Sequence, residues 1–165
     1  MIDGSELDPR FVPYQRLLGR LRAVMLSGAA LVAMAIAFGV SDSLTRGGRI
    51  AIAVAWVCVI AAAAWLAEAW PPREYARTRY RLDGDGLLIA RGVFWRRITY
   101  VPRSRVQHTD VSQGPLERKY GLGTLIVYTA GTDHARVALD GLAWETAAAL
   151  RDELRADRDR ADDDV

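Results

Sequence analysis

The sequence predicts an α+β membrane protein: an N-terminal two-helix transmembrane hairpin followed by a small antiparallel β-barrel capped by a C-terminal helix. Three observations carry that expectation. Residues 23–40 and 50–67 are two apolar runs of 18 residues, and neither holds an acid, a base, an amide side chain or a proline. From Tyr75 the apolar period shortens to two, in short segments divided by Gly, Pro and Asp turns. After Asp140 it lengthens again to helical spacing. A chain of 165 residues has room for one soluble domain beside the hairpin.

At 1.5 Å per residue each run spans about 27 Å, close to the ~30 Å hydrocarbon core of a bilayer. A core helix of a soluble protein shows a polar face, and these runs show none. A cleaved signal peptide is the other reading of the first run, with Ala33-Met34-Ala35 as its small-residue site; the long leading segment and the second span directly after it favour an uncleaved anchor. The small residues Gly28, Ala29, Ala33, Ala37, Ala53, Ala61 and Ala64 allow close helix packing, within the hairpin or between copies. Cys58, the one cysteine, lies in the second span, so neither an internal disulfide nor a cysteine metal cluster is available.

Arg10, Arg16, Arg20 and Arg22 precede the first span, and Arg73, Arg77, Arg79 and Arg81 follow the second. The loop of residues 41–49 holds Arg46 and Arg49. Basic flanks favour the cytoplasm, so the expected placement is multi-pass in the inner (cytoplasmic) membrane with both termini cytoplasmic. Trp65, Trp70 and Tyr75 form an interfacial belt at the exit of the second span, and Pro71-Pro72 is expected to end that helix and open the next domain. The expected divisions are a cytoplasmic segment 1–22, the hairpin 23–67, a domain 73–156 and a disordered charged tail 157–165. In the first of these, residues 1–10 read as loose. Tyr14, Leu17, Leu18 and Leu21 have helical spacing, either as an interfacial helix or as the end of the first span.

Within the domain, Ala76, Thr78, Tyr80 and Leu82 alternate with Arg77, Arg79 and Arg81, which makes a strand with one basic face. Asp83-Gly84-Asp85-Gly86 turns it back; the run lacks the further ligands of a calcium loop. Strands are expected at residues 87–91, 95–101, 105–111, 124–129 and 135–139, with a helical turn at 116–120 and a turn at 130–133. Six strands in all argue for a small sheet or barrel. A helix capped by Asp140 or Gly141 then carries the stripe Ala143, Ala147, Leu150 and Leu154, with Trp144 as a plug at one end.

Several motifs together resemble one family. They are Tyr80-Arg81-Leu82 with Ile89-Ala90-Arg91-Gly92, Val101-Pro102-Arg103-Ser104-Arg105-Val106-Gln107-His108, Gln113-Gly114-Pro115-Leu116-Glu117-Arg118-Lys119-Tyr120-Gly121-Leu122-Gly123-Thr124, Thr129-Ala130-Gly131, and Leu139-Asp140-Gly141-Leu142. The chain is similar to bacterial pleckstrin-homology-like (PH-like) membrane proteins of the YdbS type, which carry two spans and one such domain. The resemblance implies a strongly bent barrel of seven strands closed by the C-terminal helix. The seventh strand then lies in residues 113–119 or is absent. A phosphoinositide ligand would be an argument from fold alone.

Two basic groups are candidate sites. Arg77, Arg79 and Arg81 are candidates for resting on anionic headgroups, each contributing ~1 kcal/mol near the surface; the alternative is a solvated strand face. Arg103, Arg105, Arg118 and Lys119 are candidates for an anion pocket; the alternative is structural, with Arg118 satisfying turn carbonyls. His108, Asp110 and His134 lack metal-site spacing. No nucleophile, acid–base pair or phosphate loop stands out. The expected function is therefore non-enzymatic, without cofactor, metal or nucleic acid. It is a scaffold on the bilayer that binds another membrane or envelope protein, a peptide or itself, or, alternatively, a sensor of anionic lipid.

Overall fold

A computed structural model of the chain describes residues 4–40, 45–130 and 136–163. The chain forms two compact units, Gln15–Pro71 and a second assembled from Met1–Tyr14 and Pro72–Val165. It opens with strand β1 (Ser5–Glu6), followed by helices α1 (Phe11–Val40) and α2 (Arg46–Arg77).

In the helical unit, both α1 and α2 are long and apolar enough to cross a membrane. Met25, Leu26 and Val59 are exposed, as lipid-facing side chains are. Close approach occurs at Gly19, where an added Cβ would stand 2.9 Å from the Cβ of Ala67; Gly28 has nothing within 4 Å. Arg16 and Arg20 reach the Glu68 carboxylate at 3.4 and 2.5 Å. Residues 14–21 belong to the continuous α1 rather than to a separate interfacial helix. Arg46 and Arg49 lie in α2, not in the loop, and residues 41–44 are outside the described residues.

Helix α2 does not stop at Pro71-Pro72. Proline's fixed φ suits a helix, and its cost is the lost bond to the carbonyl four residues back. The turn beyond is held by Tyr75, which packs on the core of the α/β unit and donates from its hydroxyl to Glu6 at 3.3 Å.

The α/β unit continues with β2 (Arg79–Leu82), β3 (Gly86–Arg91), β4 (Arg97–Pro102), a 3-10 turn (Arg103–Arg105), β5 (Val106–Ser112), α3 (Pro115–Tyr120), β6 (Leu122–Thr129), β7 (Arg136–Ala143) and α4 (Trp144–Asp163). The strands form two antiparallel sheets, ordered β1-β2-β3-β4 and β5-β6-β7. The alternation expected from Ala76 holds only within β2, since Ala76 and Arg77 still belong to α2: Tyr80 is buried, Arg81 is exposed, and the register sets Tyr80 against Ile89 and Arg81 against Leu88. Leu87, Ile89, Val101, Leu125, Val127, Leu139 and Leu142 fill the core, with Ala147, Leu150 and Leu154 of α4 laid on it.

Five expectations change. The sheets do not close into a barrel; β4 ends the first sheet, and a cleft separates it from Val137 of β7. The seventh strand is β1, whereas in the proposed location, 113–119, residues 115–119 belong to helix α3. Residues 4–11 are not loose: Ser5 pairs with Tyr80, and Leu7 and Phe11 are core residues. Helix α4 starts at Trp144, not at Asp140 or Gly141, so Ala143 belongs to β7. The reason is a bulge, in which Asp140 and Gly141 together oppose Thr124, and Gly141 takes φ +80°. At the other end α4 continues as helix to Asp163, past the expected boundary, through residues that include no glycine or proline. The turn expected at 130–133 falls, from Gly131 onward, outside the described residues.

Phe11 explains the bulge. A Cβ at Gly141 would come within 2.5 Å of Cδ2 of the Phe11 ring, and the Asp8 N–H donates to the Gly141 carbonyl at 2.9 Å. The N-terminal segment is thus seated on Leu139-Asp140-Gly141-Leu142, where only glycine fits. Asp8 is fixed in turn by Arg10, whose Nε and Nη2 donate to it at 2.9 and 2.8 Å. The Arg10 hydrogen bond holds the Asp8 carboxyl below its ordinary value.

Candidate functional site

Strand β4 has the sequence Arg97-Ile98-Thr99-Tyr100-Val101-Pro102. Pairing with β3 turns Val101 into the core and leaves Ile98 52% and Tyr100 48% exposed. No strand pairs with its outer edge among the described residues. Edge strands are normally guarded by charge, proline or a bulge; here Arg97 and Pro102 guard the two ends, while the four residues between them are uncharged and in regular register with β3. Beside it runs a cleft of about 330 Å³, closed on the far side by Arg105, Thr129, Ala130 and Val137. Arg91, at the end of β3, reaches across to β7 and donates from Nη2 to the Ala138 carbonyl at 2.5 Å.

The second predicted basic group is divided by the fold. Arg103 is largely buried: Nε donates to the Asp83 carbonyl at 2.8 Å, its backbone N–H to Asp85 at 3.1 Å, and Nη2 meets Glu153 of α4 at 3.5 Å. It therefore joins the β2–β3 turn, the 3-10 turn and α4. Arg105 is exposed and lines the β4 cleft, while its carbonyl accepts the Ala130 N–H at 2.9 Å. Arg118 and Lys119 are exposed in the last turn of α3 and do not line that cleft. Arg118 serves the turn through its backbone, its N–H donating to Gly114 at 2.9 Å and its carbonyl accepting from Gly121 at 3.2 Å. Glu117 organises this connector. Its carboxylate accepts from the Gly114 N–H at 2.6 Å and from the Thr124 hydroxyl at 2.8 Å.

Nor do Arg77, Arg79 and Arg81 form one open face. Arg77 ends α2 and donates to the Val93 carbonyl. Arg79 pairs with Glu6 at 2.7 Å and donates to the Thr78 carbonyl at 2.9 Å; Arg81 pairs with Asp83 at 3.1 Å. His108 stacks on Tyr128 with ring centroids 4.0 Å apart, and its Nε2 lies 4.0 Å from Asp110. His134 is outside the described residues.

Sequence reasoning missed the β4 edge and the β3–β4 tip. The signals are legible in retrospect: an uncharged β-branched and aromatic run ended by Pro102, and the pair Phe94-Trp95 followed by two arginines.

With this geometry established, comparison adds two likenesses. A protein-family model described as "Bacterial PH domain" matches residues 16–158. The UPF0699 transmembrane protein YdbS of Bacillus subtilis (strain 168) is 35% identical over 116 residues, 67% of this chain and 71% of that protein. No solved structure matches the chain.

Proposed function

We propose, from the premise that this chain belongs to the bacterial PH domain family, that it is a non-enzymatic interaction module held on the cytoplasmic face of the inner membrane. The two helices and the transmembrane relative make it a membrane protein. The arginines flanking the spans support cytoplasmic termini. Anchoring raises the local concentration of the α/β unit at the bilayer, so that a weak contact there becomes effective.

The observation that carries the reading is the unpaired β4 edge, uncharged from Ile98 to Val101, beside its cleft. An extended segment of another envelope protein, or of a second copy, would add as a strand. Backbone bonds to β4 would supply affinity, and Ile98, Tyr100 and the cleft would supply selectivity. Lipid sensing by one basic strand face of Arg77, Arg79 and Arg81 is less well supported, because Arg77 ends α2 and Arg81 is paired with Asp83, so the three do not share a face.

A photo-crosslinking residue at Tyr100 of the full chain, in native membranes, tests this. A discrete adduct with one polypeptide is expected, absent when the crosslinker is at Arg155 and lost when Ile98→Lys places a charge on the edge. Adducts with lipid alone, or equal yields from both positions, would overturn the reading.

A further inference from the structure

The β3–β4 hairpin turns through Gly92-Val93-Phe94-Trp95-Arg96. Phe94 is 81% and Trp95 90% exposed, the two most exposed large apolar side chains among the described residues of the α/β unit. The tip is shaped by a close backbone contact: Gly92 has φ +127°, and a Cβ there would collide with the Trp95 carbonyl oxygen. Adjacent to the tip lies a cleft of about 560 Å³, bounded by Arg77, Arg79, Arg91, Arg96 and Phe94, with no acid among the described residues that line it. Each guanidinium has five N–H donors, so the bonds of Arg77 to Val93, of Arg79 to Tyr75, Thr78 and Glu6, and of Arg91 to Ala138, with Asp140 4.0 Å from Arg91, still leave donors over. Arg77 is also the end of α2, ten residues after the apolar run closes at Ala67.

We propose that this tip is a second membrane contact. Phe94 and Trp95 enter the interfacial layer, and the four-arginine cleft takes the phosphate of an anionic phospholipid. Aromatic rings favour the headgroup level, where an amphipathic indole has both an apolar and a polar neighbour. Guanidinium matches phosphate in planar, bidentate geometry. Tip and cleft are complementary in chemistry to one occupant, a negatively charged bilayer surface. This contact stands apart from the β4 edge and does not depend on what adds there.

The test uses the full chain reconstituted in phosphatidylcholine vesicles with and without phosphatidylglycerol. Trp56, Trp65, Trp70 and Trp144 are replaced by Phe so that Trp95 is the single fluorophore. Expected are a blue shift and quenching by acyl-chain-brominated lipid in the anionic vesicles, both reversed by high salt and by Arg96→Glu, and neither affected by inorganic phosphate. The same readout from a fluorophore on Phe94→Cys, in a chain with Cys58→Ala, keeps the test open if the four replacements disturb folding. Water-like Trp95 emission without bromine quenching in anionic vesicles would overturn the proposal. Reversal by inorganic phosphate would equally overturn it, in favour of a free-anion site.

Discussion

Removing the Phe11 side chain should unseat the N-terminal strand from the sheets, and the cost follows from its surroundings. The ring is 1% exposed, in one core with Leu7, Leu139 and Leu142. Phe11→Ala at such a site costs about 3–5 kcal/mol. Gly141→Ala attacks the same contact from the other side. It imposes about 1–2 kcal/mol of left-handed backbone strain at φ +80°. It also imposes about 1–3 kcal/mol of overpacking, because the new Cβ falls 2.5 Å from the ring. In the double variant the overpacking disappears with the ring while the strain remains. The pair should therefore cost less than the sum of the single changes by about 1–3 kcal/mol, well beyond ordinary non-additivity. Native-state hydrogen exchange of the Leu125 and Val127 amides in β6, on the full chain in detergent, reports the α/β unit without interference from the spans. A Phe11→Ala cost under about 1 kcal/mol, or strict additivity, would refute the idea that the first residues complete the core.

The same exchange assay serves the other expectations. Arg103→Ala removes a mostly buried guanidinium that joins three elements and should cost about 2 kcal/mol. Arg81→Ala, breaking an exposed pair with Asp83, should cost less than about 1 kcal/mol. Asp8 has a lowered folded-state pKa, so its contribution is complete above the usual value of 3.8 and is lost as the pH falls through the lower folded value. Asp8→Asn should therefore cost stability at neutral pH and flatten the acid limb of the stability profile. Gly92→Ala should disturb amide protection at the β3–β4 tip, since φ +127° and the Trp95 carbonyl leave no room for a methyl, while β6 amides stay protected.

Local pattern determined much of this protein. Charge exclusion over residues 23–40 and 50–67 marks the two helices, because hydrocarbon and helix length impose that signature on contiguous residues. Alternation up to Leu82 marks β2, because a strand with one buried face has a period of two, although its expected start at Ala76 proved to be the end of α2. The family motifs 113–121 and 139–142 likewise sit where the chain turns, at α3 and the β7 bulge. Tertiary structure alone decided the rest. Ser5-Glu6 carries no strand pattern of its own; it is a strand because β2 presents an edge 70-odd residues away in sequence, and Phe11 finds a socket only once Gly141 has bulged. Helix α2 outruns Pro71-Pro72 because Tyr75 is held by the core beyond. The basic residues were legible as charges but not as a site. Which guanidinium meets a carboxylate, a carbonyl or an open cleft depends mostly on neighbours that are distant in sequence, so Arg79 was matched to Glu6 and Arg103 to Glu153, while Arg77, Arg79, Arg91 and Arg96 came to surround one cleft.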